Sequence, residues 1–105
     1  MDTLARLEST IAQRRTAAAD DSYVARLNSR GVPVIARKLG EESVEAIVAA
    51  LSGTREELVG EAADVLFHLL VLLGAKGVPL AEVMAELERR EGTSGLAEKA
   101  ARGAP

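Results

Sequence analysis

The chain lacks cysteine and tryptophan and has only one tyrosine, one phenylalanine and one histidine in 105 residues. Without cysteine there is no disulfide framework, no thiolate nucleophile and no thiolate metal site, a composition compatible with a reducing compartment. With so few aromatic rings, the core must be built from Leu, Val, Ile and Ala, which reads as a helical bundle. Positive charge is not concentrated either. The net charge is −3 and the basic residues are scattered among acids, which argues against duplex nucleic acid as a partner. Long apolar runs are absent too: the most apolar segment, from Val65, is broken by His68 and ends at Gly74, well short of the roughly 20 residues that span a bilayer. Met1-Asp2-Thr3 has neither the basic region nor the apolar run of a secretory signal. The expectation is one soluble, cytoplasmic domain over residues 1–105, with no membrane partner.

What is present is carboxylate in a pattern. Glu41-Glu42-Ser43-Val44-Glu45 and Glu61-Ala62-Ala63-Asp64 flank Gly53. In a helix, residues three apart lie about 60° apart on one face, one turn along the axis. If two helices reverse direction at Gly53, Glu45 faces Glu61 and Glu42 faces Asp64, so four carboxylates meet at one level of an antiparallel hairpin. Like charges at this spacing cost roughly 0.2–0.5 kcal/mol per pair on an exposed helix, and more as the dielectric falls. A divalent cation removes the conflict, and an oxygen-only donor set favours Mg²⁺ or Mn²⁺ over zinc. Glutamate is also common on solvated helix faces, so either cluster alone would read as surface. Lys38 and His68 fall opposite each other one turn beyond the carboxylates. A lone histidine beside Leu69 and Leu70 is by default a packed, hydrogen-bonded residue.

Five helices are predicted. The first spans about Thr3 to Ala17, with Leu4, Leu7 and Ile11 at helical spacing. Asp20 and Asp21 are N-cap candidates for a short second helix carrying Tyr23, Val24 and Leu27 and stopped by Gly31. Pro33 opens the third, whose apolar face includes Ile35, Leu39, Ile47 and Leu51; the interior Gly40 is read as a close approach by a neighbour's backbone or a ligand rather than as a merely tolerated glycine. Thr54 and Glu57 form a capping box for the fourth, Thr54 to Ala75. That helix is apolar on nearly all faces, which a chain this small covers most naturally by self-association. Pro79 restarts a fifth helix to about Arg90, and the tail over residues 93–105 reads as a flexible terminus.

These motifs resemble the MazG-like, all-α nucleoside triphosphate pyrophosphohydrolases. Ser22-Tyr23, Lys38-x-Gly40-Glu41-Glu42-x-x-Glu45, Glu61-x-x-Asp64-x-x-x-His68-Leu69-Leu70 and Ser94-Gly95-x-x-Glu98-Lys99 are similar to those of the phosphoribosyl-ATP pyrophosphatase family of histidine biosynthesis. The acidic motifs alone indicate only the superfamily. The resemblance implies a MazG-like helical bundle completed by homodimerisation. It also implies Mg²⁺-dependent hydrolysis of 1-(5-phosphoribosyl)-ATP to 1-(5-phosphoribosyl)-AMP and pyrophosphate by a stand-alone form of the enzyme. Glu42, Glu45, Glu61 and Asp64 would bind the metal, and Glu41 and Glu45 are the candidate catalytic carboxylates. Lys38, Lys99, Arg102, Arg14 and Arg15 are the candidate substrate contacts. Two other readings remain open: a housekeeping pyrophosphohydrolase acting on ordinary nucleoside triphosphates, and a non-catalytic helical adaptor.

Overall fold

Short polar side chains start most of the helices. In the computed structural model, which describes residues 2–92 and 94–103, Asp2 accepts from the Ala5 amide at 2.8 Å and opens α1, Thr3–Arg14. Ser22, not Asp20 or Asp21, caps α2, Tyr23–Arg30, by accepting from the Ala25 amide at 3.3 Å. The two aspartates lie in the preceding turn, while Ser22 is the extended residue at the helix start. Gly31, at φ 94, ends α2 and leads into α3, Val32–Ser52, which has Pro33 in its first turn. The expected capping box is present: Thr54 Oγ1 accepts from the Glu57 amide at 3.1 Å and Glu57 Oε1 from the Thr54 amide at 3.4 Å, opening α4, Arg55–Ala75. Pro79 offers no side-chain cap for α5, Leu80–Arg90; Glu8 of α1 supplies it, Oε2 accepting from the Leu80 amide at 2.7 Å. The tail carries a sixth helix absent from the sequence reading: α6, Gly95–Arg102, capped by Ser94. Thr93, Ala104 and Pro105, also part of the segment expected to be flexible, lie outside the described residues.

The antiparallel α3–α4 hairpin is the spine; α1 packs on α4, α2 on α3, and α1 and α2 touch. The described residues are all helix and connecting turn, as an all-α bundle requires. The buried core joins Ile11 of α1, Val24 and Leu27 of α2, Ile35 of α3, and Leu70 and Val71 of α4. The hairpin's own members of this core, Ile35, Leu70 and Val71, come from the start of α3 and the end of α4, so the core covers that half of the hairpin. At the Gly53 end Ile47, Leu51 and Val59 remain largely exposed, and the molecule is elongated, 47 × 34 × 29 Å. The face predicted for α3 from Ile47 and Leu51 is therefore not core within one chain. By length and composition the whole of α4 is also apolar enough to cross a membrane, a property hidden when only the run from Val65 is considered. Glu61, Asp64 and the buried His68 lie within it.

Candidate active site

Gly53 sets the register of the hairpin. Its backbone is extended, and a Cβ there would sit 3.0 Å from the Ala49 carbonyl oxygen and 3.1 Å from Ala49 Cα. A residue without a side chain thus lets α3 run almost directly into the capping box of α4. Across that turn, carboxylate oxygens of Glu42 and Glu45 from α3 and Glu61 from α4 all lie within 4.8 Å of one another.

The cluster is electrostatically unsatisfied. Glu61 Oε2 is enclosed and has no hydrogen-bond partner among the described residues. Partial burial pushes the Glu61 carboxyl above its ordinary value, reinforced by the charge of Glu45 and hydrogen bonding with it, then by the charges of Glu42 and Asp64. Glu42 is raised in the same way, by burial first, then by Glu45 and Asp64, with His68 opposing. Carboxyls this close disfavour one another's ionisation, a conflict that a proton or a cation relieves. The donor set is all oxygen and carries excess negative charge, which fits a hard divalent cation.

Asp64 lies outside the 4.8 Å group, its side chain one methylene shorter than those of the three glutamates. Its main chain has a separate role, the carbonyl oxygen lying 2.7 Å from His68 Nδ1. A carbonyl only accepts, so Nδ1 carries a proton, and Nε2 pairs with the Tyr23 hydroxyl at 2.9 Å. Edge contacts to Tyr23 and Phe67, with ring centroids 5.7 and 5.2 Å away, complete the packing of this buried imidazole. His68 is a satisfied interior group joining α2 to α4.

The remaining candidates divide by location. Glu41 turns toward cations: Arg37 Nε lies 3.5 Å and Lys38 Nζ 3.7 Å from its carboxylate oxygens. Arg15 lies elsewhere, its Nη2 only 2.6 Å from where a Cβ on Gly74 would be. Gly74 is thirteen positions beyond Glu61, roughly 20 Å along α4 at about 1.5 Å per residue. Arg14, beside it, is exposed in the last turn of α1. Lys99 and Arg102 fall in the last turn of α6 and line none of the cavities along α3.

Sequence reasoning missed one group. Arg26 and Arg30 of α2 join Arg37, Lys38, Tyr23 and Glu41 around a cavity of about 270 Å³. The available signal was the spacing: Arg26 and Arg30 are four apart on a short helix, and Arg37-Lys38 open the acidic motif.

Fold and site together define a class: an all-helical protein that gathers carboxylates between two antiparallel helices. The chain belongs to the phosphoribosyl-ATP pyrophosphohydrolase family, whose sequence profile matches residues 4–91. Curated relatives agree over nearly full length. The phosphoribosyl-ATP pyrophosphatase of Erythrobacter litoralis strain HTCC2594 is 65% identical, the match covering 98% of this chain and 99% of that protein. Proteins of the same name from Novosphingobium aromaticivorans and Rhizorhabdus wittichii are 64% and 65% identical, over 96% and 95% of this chain and 94% of each relative.

Proposed function

We propose that the chain hydrolyses the α–β phosphoanhydride of 1-(5-phosphoribosyl)-ATP in the presence of Mg²⁺ or Mn²⁺, giving 1-(5-phosphoribosyl)-AMP and pyrophosphate. This is the second step of histidine biosynthesis, carried out by a cytoplasmic homodimer. The observation that carries the reading is the enclosed, unpartnered Oε2 of Glu61, in a carboxylate that clusters with Glu42 and Glu45. The family and the names of its members supply the substrate.

Glu42, Glu45 and Glu61, with Asp64 alongside, would hold the cation. When bound, the cation neutralises phosphate oxygens and stabilises charge on the departing group. The other tasks fall to the chain. As a water oxygen bonds to phosphorus, the bridging P–O bond breaks and its electron pair stays on the departing phosphate oxygen. Glu45 and Glu41 are the carboxylates assigned to take the water's proton, Glu41 being oriented by Arg37 and Lys38. Lys38 contacts the phosphates beside the cluster, and Lys99 and Arg102 reach them if α6 folds over the substrate. The uncovered Val44, Ile47, Val48, Leu51 and Val59 are exposed apolar residues on the two helices of the hairpin, of the kind that a second copy buries.

The test is pyrophosphate release by the purified chain from phosphoribosyl-ATP and from ATP, with Mg²⁺ and with excess chelator. Turnover of phosphoribosyl-ATP that requires the metal, and falls by about a hundredfold or more in a folded Glu61→Gln variant, is the expected result. Preference for ATP would move the function to housekeeping hydrolysis, and no release from either would overturn the reading.

A further inference from the structure

The cavity between α2 and α3 is the electrostatic opposite of the carboxylate cluster. Four cationic side chains, Arg26, Arg30, Arg37 and Lys38, surround it with a single carboxylate, Glu41. That carboxylate is engaged by Arg37 and Lys38. Among the described residues the Arg26 and Arg30 side chains make no hydrogen bond or ion pair, and both are exposed. Cations at i,i+4 on one helix repel each other, and two more stand across the cavity on α3. An anion entering here would meet uncommitted guanidinium groups, whose planar forks match phosphate oxygens in pairs.

The two charged regions lie on one track. An open groove lined by Arg37, Gly40, Glu41, Val44 and Glu45 runs between them. A Cβ on Gly40 would meet nothing within 4 Å, so no neighbouring element obstructs that part of the track. From Arg37 to Glu45 is eight positions, about 12 Å along α3 at roughly 1.5 Å per residue. An ordinary nucleoside triphosphate carries all its phosphate on one chain. Phosphoribosyl-ATP carries a further phosphate monoester, on the ribose attached to the far side of the purine.

We infer that the cavity bounded by Arg26, Arg30, Arg37 and Lys38 binds the phosphate monoester of the phosphoribosyl group, and so selects this substrate over ordinary nucleoside triphosphates. The inference rests on the proposed reaction for the identity of the substrate. It does not rest on that reaction for the chemistry of the site, which is that of a phosphate monoester receptor. Arg26 and Arg30 select, Lys38 spans the cavity and the acidic motif, and bond cleavage takes place at the carboxylates.

Two measurements test it. In the first, the unaltered protein is treated with an arginine-directed dicarbonyl reagent, with and without ribose 5-phosphate, and the modified arginines are located by mass spectrometry. Protection of Arg26 and Arg30 by ribose 5-phosphate but not by ribose is expected; no protection overturns the inference. In the second, an R26Q/R30Q variant is compared with the unaltered protein on phosphoribosyl-ATP and ATP. The Michaelis constant for phosphoribosyl-ATP is expected to rise about tenfold or more, and selectivity over ATP to fall by a similar factor. Unchanged selectivity, or a parallel loss on both substrates as expected of a triphosphate site, overturns it. If the unaltered protein cleaves neither substrate while ribose 5-phosphate still protects both arginines, the proposed reaction fails and the monoester site stands.

Discussion

The Tyr23 hydroxyl lies 2.9 Å from Nε2 of His68, joining the helix that carries Arg26 and Arg30 to the helix that carries Glu61 and Asp64. His68 is buried, and its other ring nitrogen is bonded to the Asp64 carbonyl. The contact therefore fixes α2 against α4 at the level where the cationic cavity meets the carboxylates.

Removing that hydroxyl leaves a buried ring nitrogen unpaired. Tyr23→Phe keeps the stacking on Phe67, whose ring centroid is 6.1 Å away. It is expected to destabilise the fold by roughly 1–3 kcal/mol, measured as a lower denaturation midpoint with unchanged slope. An unchanged midpoint would mean that Nε2 is satisfied by some other group.

The raised carboxyls make stability depend on pH and metal together. Glu42 and Glu61 are held above 4.5, so their contribution to stability is fully present below that value and is lost as pH rises through the raised values. In chelator, the melting temperature is expected to fall as pH rises from 4.5 through the raised values and to level off above them. Glu86 acts in the other direction, pulled down to about 2 by hydrogen bonds from Arg89 and Arg90. Its contribution is lost only on acidification below 4.5, outside this window. Added Mg²⁺ should raise the melting temperature most at the alkaline end, where no proton competes for the carboxylates. A Mg²⁺ shift independent of pH would argue against these carboxylates as ligands.

Gly40 tests the track between the two charged regions. No neighbouring element approaches it within one chain, contrary to one of the two reasons the sequence suggested for an interior helical glycine. Gly40→Ala should therefore stabilise α3 by about 1 kcal/mol through helix propensity alone. If substrate crosses the groove, the same variant raises the Michaelis constant. Higher stability with unaltered kinetics would remove Gly40 from the substrate path.

Leu51, 83% exposed at the uncovered end of the hairpin, reports on self-association. Leu51→Asp disturbs no core within one chain, so a monomer should tolerate it. If a second copy covers this end, the variant elutes at a smaller size and loses the concentration dependence of melting that the associated protein shows. An identical elution volume would place the interface elsewhere.

Local signals were legible in the sequence because each depends on residues close together in the chain. The Thr54–Glu57 capping box, the stop at Gly31 and the placing of Glu42, Glu45 and Glu61 around Gly53 all follow from helical geometry acting over a few turns. The aspartates before Ser22 were misread for the same reason in reverse: several residues could cap α2 locally, and the one whose backbone is extended at the helix start does so. The helix in the tail was obscured by glycines at positions 95 and 103, which look like flexibility but are the first residue and the C-cap of a capped, eight-residue helix.

Composition, the reversal at Gly53 and the spacing of the acids by themselves determined an all-α chain with carboxylates facing across a hairpin, because a short turn between two regular helices leaves one register. Only tertiary structure decided what the other elements bring to that hairpin. Covering α3 with α2 sets Arg26 and Arg30 beside Arg37 and Lys38, and α1 carries Arg15 to the far end of α4 and Glu8 to the start of α5. Those placements depend on which apolar faces bury together over long sequence separations, and charge spacing along one helix holds no record of the neighbour it will meet.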